Sequence, residues 1–262
     1  AHHRGGTIMR TSWTIAWRDF RAYFVSPIGY CIIAAFLAIM GWFFFNYLYG
    51  FILQTMKFKA YNMGKGPSLV EGIVRPLYAN MNLIFLFTIP AITMRLYAEE
   101  RKNHSIELLM TAPLTLTQLV VGKFLSSLLF LLVILAFTLV YPVVLLYAGN
   151  PDPGAIFSTY LGTLLLGCCY LALGSFFSAM TENQIIAYIL TLFGILFCWV
   201  IGWAAQAAGS TVGDVLHYLS LIEHFFNFTN GVIDSVDVVY YLSFIGIFLF
   251  LTHRILDSYR WR

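Results

Sequence analysis

Long apolar runs divide this chain, each close to the roughly 20 residues a helix needs to cross a bilayer, with short polar stretches between them. The pattern predicts spans over 28–49, 76–95, 119–147, 155–180, 184–208 and 236–253. No series of alternating segments of about ten residues occurs, so a transmembrane β-barrel is not expected. The fold class is all-α: a polytopic membrane protein with six transmembrane helices in a single domain over 9–262. The first run is too long for the apolar part of a signal peptide and ends in bulky Tyr47, Leu48 and Tyr49, so it reads as a retained span. Residues 1–8 read as an expression remnant, with Met9 as the native start.

Local signals punctuate these runs. Thr115 with Gln118, and Thr181 with Gln184, fit capping boxes opening the third and fifth spans. Pro90 and Pro142 lie inside spans two and three, where each removes a backbone donor and predicts a kink or break. Gly174/Ser178 and Ser175/Ala179 have the small-xxx-small spacing of close helix contact. Ahead of the first span, Trp13, Trp17, Phe20 and Phe24 share a narrow helical arc, Arg18 and Asp19 point elsewhere, and Arg10 and Arg21 flank the stripe. Such a helix fits the membrane interface with its aromatics at headgroup depth; packing against the bundle is the alternative.

Composition agrees: of 262 residues, 60% are hydrophobic and 10% charged, and the mean hydropathy is +0.80. That is too little charge to coat a soluble domain, where roughly 25% is ordinary. Basic residues set the orientation. With the N-terminus inside, the inner segments hold Arg4, Arg10, Arg18, Arg21, Arg95, Arg101, Lys102, Lys123, Arg254, Arg260 and Arg262. Lys57, Lys59, Lys65 and Arg75 fall in the first outer loop, against the trend, while 209–235 has no Lys or Arg. Both termini are therefore expected in the cytoplasm.

Catalytic chemistry is not apparent. HExxH, GxSxG, GxGxxG and the GxxxxGK[ST] phosphate loop are all missing. Cys31, Cys168, Cys169 and Cys198 lie in apolar runs without metal-site spacing, so no metal is expected on them. Asp234 and Asp237 are spaced i, i+3, which fits a helix start better than a metal pair, although His217 and His224 in the same loop leave a weak site open. Ionisable groups are scarce inside the spans, which disfavours an ion-driven carrier. Asn80, Asn82 and Gln206 are the polar positions to follow there.

The most informative stretch is the inner loop between spans two and three. Arg95, Glu99, Glu100, Arg101 and Lys102 form a dense charged cluster. A short amphipathic helix follows, capped by Ser105, with Glu107 in its first turn, Ile106, Leu109 and Met110 on one face, and Pro113 ending it. Docking into a soluble partner's groove and resting on lipid both suit it.

Here the sequence resembles the ABC-2 class of ABC-transporter permeases, and within it the gliding-motility-type permease subunit. The resemblance rests on Trp17-Arg18-Asp19-Phe20, Ser26-Pro27-Ile28-Gly29-Tyr30, Ile89-Pro90-Ala91-Ile92-Thr93-Met94-Arg95 leading to Glu99-Glu100, and Ile106-Glu107-Leu108-Leu109. It extends through Gly122-Lys123-Phe124, Glu223-His224-Phe225 and Gly231-Val232-Ile233-Asp234. It implies a multipass permease of the bacterial inner membrane that couples ATP hydrolysis by a separate cytoplasmic ATPase to export. ATP and Mg would sit on that partner, with no cofactor on this chain. Glu99, Glu100, Arg101, Ile106, Glu107, Leu109 and Met110 would receive the ATPase motion, and Trp13, Trp17, Arg18, Phe20, Arg21 and Phe24 would form a connecting helix. A second permease copy is implied, as is a membrane-anchored subunit with an extracytoplasmic domain, for which Glu223, His224 and Asp234 are the candidate contact. No nucleic acid is expected. The alternative function is a non-transporting energy transducer or scaffold that drives an extracytoplasmic partner.

Overall fold

The computed structural model describes residues 2–61, 68–103, 115–149, 151–207 and 209–259. Helix α1 (His2–Val25) precedes the first spanning helix, α2 (Pro27–Ala60). Ser26 accepts from Ile28 N at 3.4 Å and Pro27 occupies the first helical turn, where a missing N–H costs nothing. A π-helical turn over Val70–Val74 leads into α3 (Arg75–Thr93), followed by the short α4 (Ala98–Lys102). The rest comprises α5 (Leu116–Thr138), α6 (Val140–Ala148), α7 (Pro153–Met180), α8 (Gln184–Ala207), α9 (Ser210–Leu219), α10 (Leu221–Thr229) and α11 (Ser235–Tyr259). No strand occurs among the described residues.

Six helical stretches are long and apolar enough to cross a membrane, in the expected order. Several ends differ from expectation. α2 continues past Tyr49 to Ala60, because Phe51, Ile52, Leu53 and Met56 prolong the apolar run and Lys57 and Lys59 suit the negative end of the helix dipole. Arg75 lies at the start of α3 rather than in a loop, its Nε donating to Thr229 O at 3.3 Å. α11 runs on to Tyr259. The segment 209–235 carries two helices, α9 and α10; in the latter Leu221, Phe225 and Phe228 recur at helical spacing and are buried.

The prolines act as their chemistry requires. The N–H that Pro142 lacks would have bonded the carbonyl of Thr138, where α5 ends, and the helix resumes as α6 at Val140. α3 ends at Thr93, shortly after Pro90. The backbone freed there is taken up by α7: Ser178 Oγ accepts from Tyr97 N at 3.2 Å and Ala98 N at 3.4 Å, and donates to Met94 O at 3.4 Å. One turn earlier Gly174 lies against Thr93, so the two backbones approach as small-residue spacing allows. α3 and α7 form the deeply buried centre, with α2, α8 and α11 outside them.

The Thr115 capping box is formed: Thr115 N donates to Gln118 Oε1 at 2.9 Å and Gln118 N donates to Thr115 Oγ1 at 3.3 Å. The Thr181/Gln184 box is replaced. Asn183 Oδ1 accepts from Ile185 N at 2.9 Å, and Thr181 Oγ1 accepts from Asn183 N at 3.1 Å. Asparagine is as good a cap as threonine and lies directly before the helix, so it takes the position.

Candidate functional site

One end of the bundle gathers α1, the α3–α4 connection, the turn after α7 and the last turn of α11; α9, α10 and the start of α11 lie at the other. At the first end stands Lys123 on α5, 2% exposed. Its ammonium lies 2.8 Å from Glu100 Oε1 and 3.2 Å from Asp19 Oδ2, and donates to Leu96 O at 2.6 Å. One cation thus joins α1, α4 and the end of α3 to α5. A charge out of water is tolerable only when paired and hydrogen-bonded in this way.

The sequence makes this geometry possible on both sides. Gly122 precedes Lys123, and a Cβ there would come within 2.9 Å of Ser12 O and 3.0 Å of Ile15 Cβ. α1 can therefore lie directly on α5 and carry Asp19 to the lysine. Arg18 Nε pairs with Asp19 Oδ1 at 2.8 Å, and its Nη2 lies 3.5 Å from Glu100 Oε1. Burial disfavours the charge on Arg18, but the hydrogen bond and charge of Asp19, with Glu100 behind, prevail and hold the guanidinium above its ordinary pKa. Tyr23, one turn on, donates to Ile92 O at 3.0 Å, and burial, reinforced by Asp19, pushes its pKa well up, so it remains a neutral donor.

Arg101 makes a second knot. It bonds Glu182 Oε1 at 2.8 Å, Ala179 O at 3.0 Å and Tyr259 OH at 3.0 Å, with its guanidinium 4.0 Å from the Tyr259 ring centre. α4 is thereby tied to the turn after α7 and to the end of α11. Glu99 is the more exposed acid, 4.0 Å from Arg95 Nε. The amphipathic segment with Ile106, Glu107, Leu109 and Met110 lies outside the described residues.

Along α1 the aromatic stripe forms a continuous stack, with ring centres 6.5 Å apart from Trp13 to Trp17, 5.6 Å to Phe20 and 5.1 Å to Phe24. Ser12, Ile15 and Ala16 on another face are buried, while Trp13 and Trp17 stay exposed. The helix is docked on the bundle and still shows aromatic surface. Between α1, the start of α2 and the end of α3 lies a cavity of about 860 Å³, lined by Arg21 and Arg95 among the cations and by Ile28 and Ile32 among the apolar side chains.

At the opposite end His224 is turned inward rather than displayed. Its Nδ1 lies 2.5 Å from Asp237 Oδ1 and its Nε2 2.9 Å from Tyr218 O, and the ring stacks on Tyr240 at 4.2 Å. Both nitrogens face acceptors, an arrangement in which both donate only when the ring is protonated. Asn227 Nδ2 donates to Asp237 Oδ2 at 2.9 Å. Asp234 is exposed and accepts from Val236 N at 3.0 Å, as a helix-start residue does, so the two acids are parted. Glu223 lies 3.2 Å from His217 Nε2. No cluster able to hold a metal ion occurs among the described residues. Asn80 bonds Tyr47 OH, and Asn82 is buried between helices.

Sequence reasoning named Glu100 and Arg101, with Glu99, but not Lys123 as the partner of Glu100, nor Glu182 and Tyr259 as partners of Arg101. A lysine four residues into a strongly apolar run was the signal available for Lys123, since an ionisable residue in a span needs a partner by default.

The fold defines a multipass helical membrane protein with a charged, interlocked end. A family model described as ABC-2 family transporter protein matches residues 13–252, and the chain belongs to that family. No curated protein matches it.

Proposed function

We propose that this chain is the permease subunit of an ABC transporter and couples ATP hydrolysis by a separate cytoplasmic ATPase to export across the bacterial inner membrane. Family membership supports the permease role, and the lack of a phosphate-loop motif in the sequence supports a separate ATPase that carries ATP and Mg. The observation that carries the coupling reading is the tethering of α4: through Lys123 it is bonded to α1 and α5, and through Arg101 to α7 and α11. A push on this short helix would pass to four others as one rigid body. Glu99 to Arg101, with Ile106, Glu107, Leu109 and Met110, then form the ATPase-receiving element, and Trp13 to Phe24 the connecting helix. This end faces the cytoplasm together with both termini, as the basic residues suggest.

The gliding-motility-type resemblance suggests a second permease copy and an extracytoplasmic subunit. Asp234 is the exposed candidate for that contact, with Glu223, largely covered beside His217, and His224 acting through the packing beneath it. The test is co-purification of a nucleotide-binding subunit with the native protein and with Glu99→Arg and Leu109→Asp. The ATPase should accompany the wild type and be lost from the folded variants. Its absence from every preparation would sink the permease reading.

A further inference from the structure

We propose that the cavity between α1, the start of α2 and the end of α3 binds one anionic phospholipid, its phosphate held by Arg21 and Arg95 and an acyl chain lying along Ile28 and Ile32. This rests on the membrane fold and is independent of the ATPase reading.

Charge complementarity identifies the occupant. Among the cations lining the cavity, Lys123 is neutralised by Asp19 and Glu100, and Arg18 is bonded to Asp19. Arg21 and Arg95 are left with one carboxylate between them, Glu99, so the lining carries one positive charge in excess. Arg21 is exposed, lies 5.3 Å from the Trp17 ring centre and has no carboxylate partner among the described residues. Arg95 meets Glu99 at 4.0 Å, too far for a hydrogen bond, with a third of its side chain exposed. Guanidiniums bind phosphate in fork geometry, and a basic pocket between membrane helices is a recognised headgroup site.

The remaining wall excludes a purely ionic ligand. Val25, Ile28, Ile32 and Ala91 line it, and a free phosphate would gain nothing from them. A volume of about 860 Å³ falls inside the roughly 300–1,000 Å³ of small-molecule sites, enough for a headgroup and the upper part of a chain. Position agrees as well, since the stack from Trp13 to Phe24 along the same helix is of the kind that sits at headgroup depth.

The test is native mass spectrometry of the full-length chain in mild detergent, titrated with phosphatidylglycerol, phosphatidylcholine or glycerol phosphate. Phosphatidylglycerol should add once, saturably, and several-fold more tightly than phosphatidylcholine, and glycerol phosphate should not displace it. Arg95→Gln and Arg21→Gln should each weaken that adduct by roughly fivefold, the worth of one surface cation near an anionic lipid. Ile28→Trp, which fills the apolar side and leaves the charges, should weaken it too. Thermal unfolding identifies any misfolded variant; exposed Arg21 carries the test if Arg95→Gln fails to fold. Equal binding of the two lipids, displacement by glycerol phosphate, or wild-type affinity in folded Arg21→Gln and Ile28→Trp overturns the proposal.

Discussion

The two ends of the bundle each bury a hydrogen-bonded cluster built on a carboxylate, and they use it differently. Lys123 joins Glu100, 23 residues away along the chain, to Asp19, 104 residues away, and Arg18 reaches Glu100 across 82. His224, Asp237, Asn227 and Tyr218 lie within 13 residues of one another along the chain where they bond. The first cluster fastens three elements that nothing in the local sequence holds together; the second closes one helical hairpin on itself. A long-range knot transmits displacement between helices, whereas a local one fixes the shape of a single excursion. On the proposed coupling, displacement would pass through the Lys123 end.

The largest effect is expected from Lys123→Met. It leaves Asp19 and Glu100 beside each other with only the half-exposed Arg18 as a cation, and breaking a buried pair from one side costs about 3–5 kcal/mol. Thermal unfolding in detergent should show the loss, and hydrogen exchange should rise in α1 and α4 together. Adding Asp19→Asn and Glu100→Gln should restore part of the stability, because the stranded charges go with the lysine. Exchange rising in only one of the two helices would refute the idea that Lys123 joins them.

Asp237→Asn should cost somewhat less, roughly 2–3 kcal/mol, as the His224 ring loses its anion but keeps the Tyr218 carbonyl. Its exchange signature should stay within α9, α10 and the first turns of α11. Spread of the effect to α1 or α4 would abolish the distinction between a local and a long-range cluster.

Arg101→Gln should follow at about 1–2 kcal/mol. Glu182 is largely exposed and its pairing is screened by solvent, so most of that loss is assigned to the Ala179 carbonyl and to Tyr259. Tyr259→Phe should therefore reproduce a part of the Arg101→Gln effect, and Glu182→Gln very little, when both are measured by the same unfolding assay.

Which of these features the sequence displays follows from the range of the interactions behind them. Six apolar runs gave six spans because crossing a membrane requires every backbone group to be satisfied within the helix itself, a local condition. The Thr115 cap and the break ahead of Pro142 are equally local. The pairing of Lys123 with Asp19 depends on α1 folding back onto α5 at Gly122, and no periodicity encodes that contact. α9 and α10 are hidden for another reason: the lack of basic residues marks 209–235 as an outer loop, although Leu221, Phe225 and Phe228 carry helical spacing.

The smallest effect sharpens the contrast from inside the Lys123 end. There the turn between α7 and α8 holds Glu182, the partner of Arg101, and Asn183, the cap of α8. Asn183→Ala removes the acceptor for Ile185 N and should cost about 1 kcal/mol. Thr181→Ala removes a bond to Asn183 N that lies outside the helix, and should cost about half that or less. The sequence pattern alone would rank them the other way, with Thr181 as the cap. If Asn183→Ala also raises exchange at the end of α11, fraying of a single turn has reached Tyr259 through Arg101, as a long-range knot requires. If the change stays within the first turn of α8, the Arg101 cluster is a set of separate contacts, and Lys123 alone holds the elements of that end together.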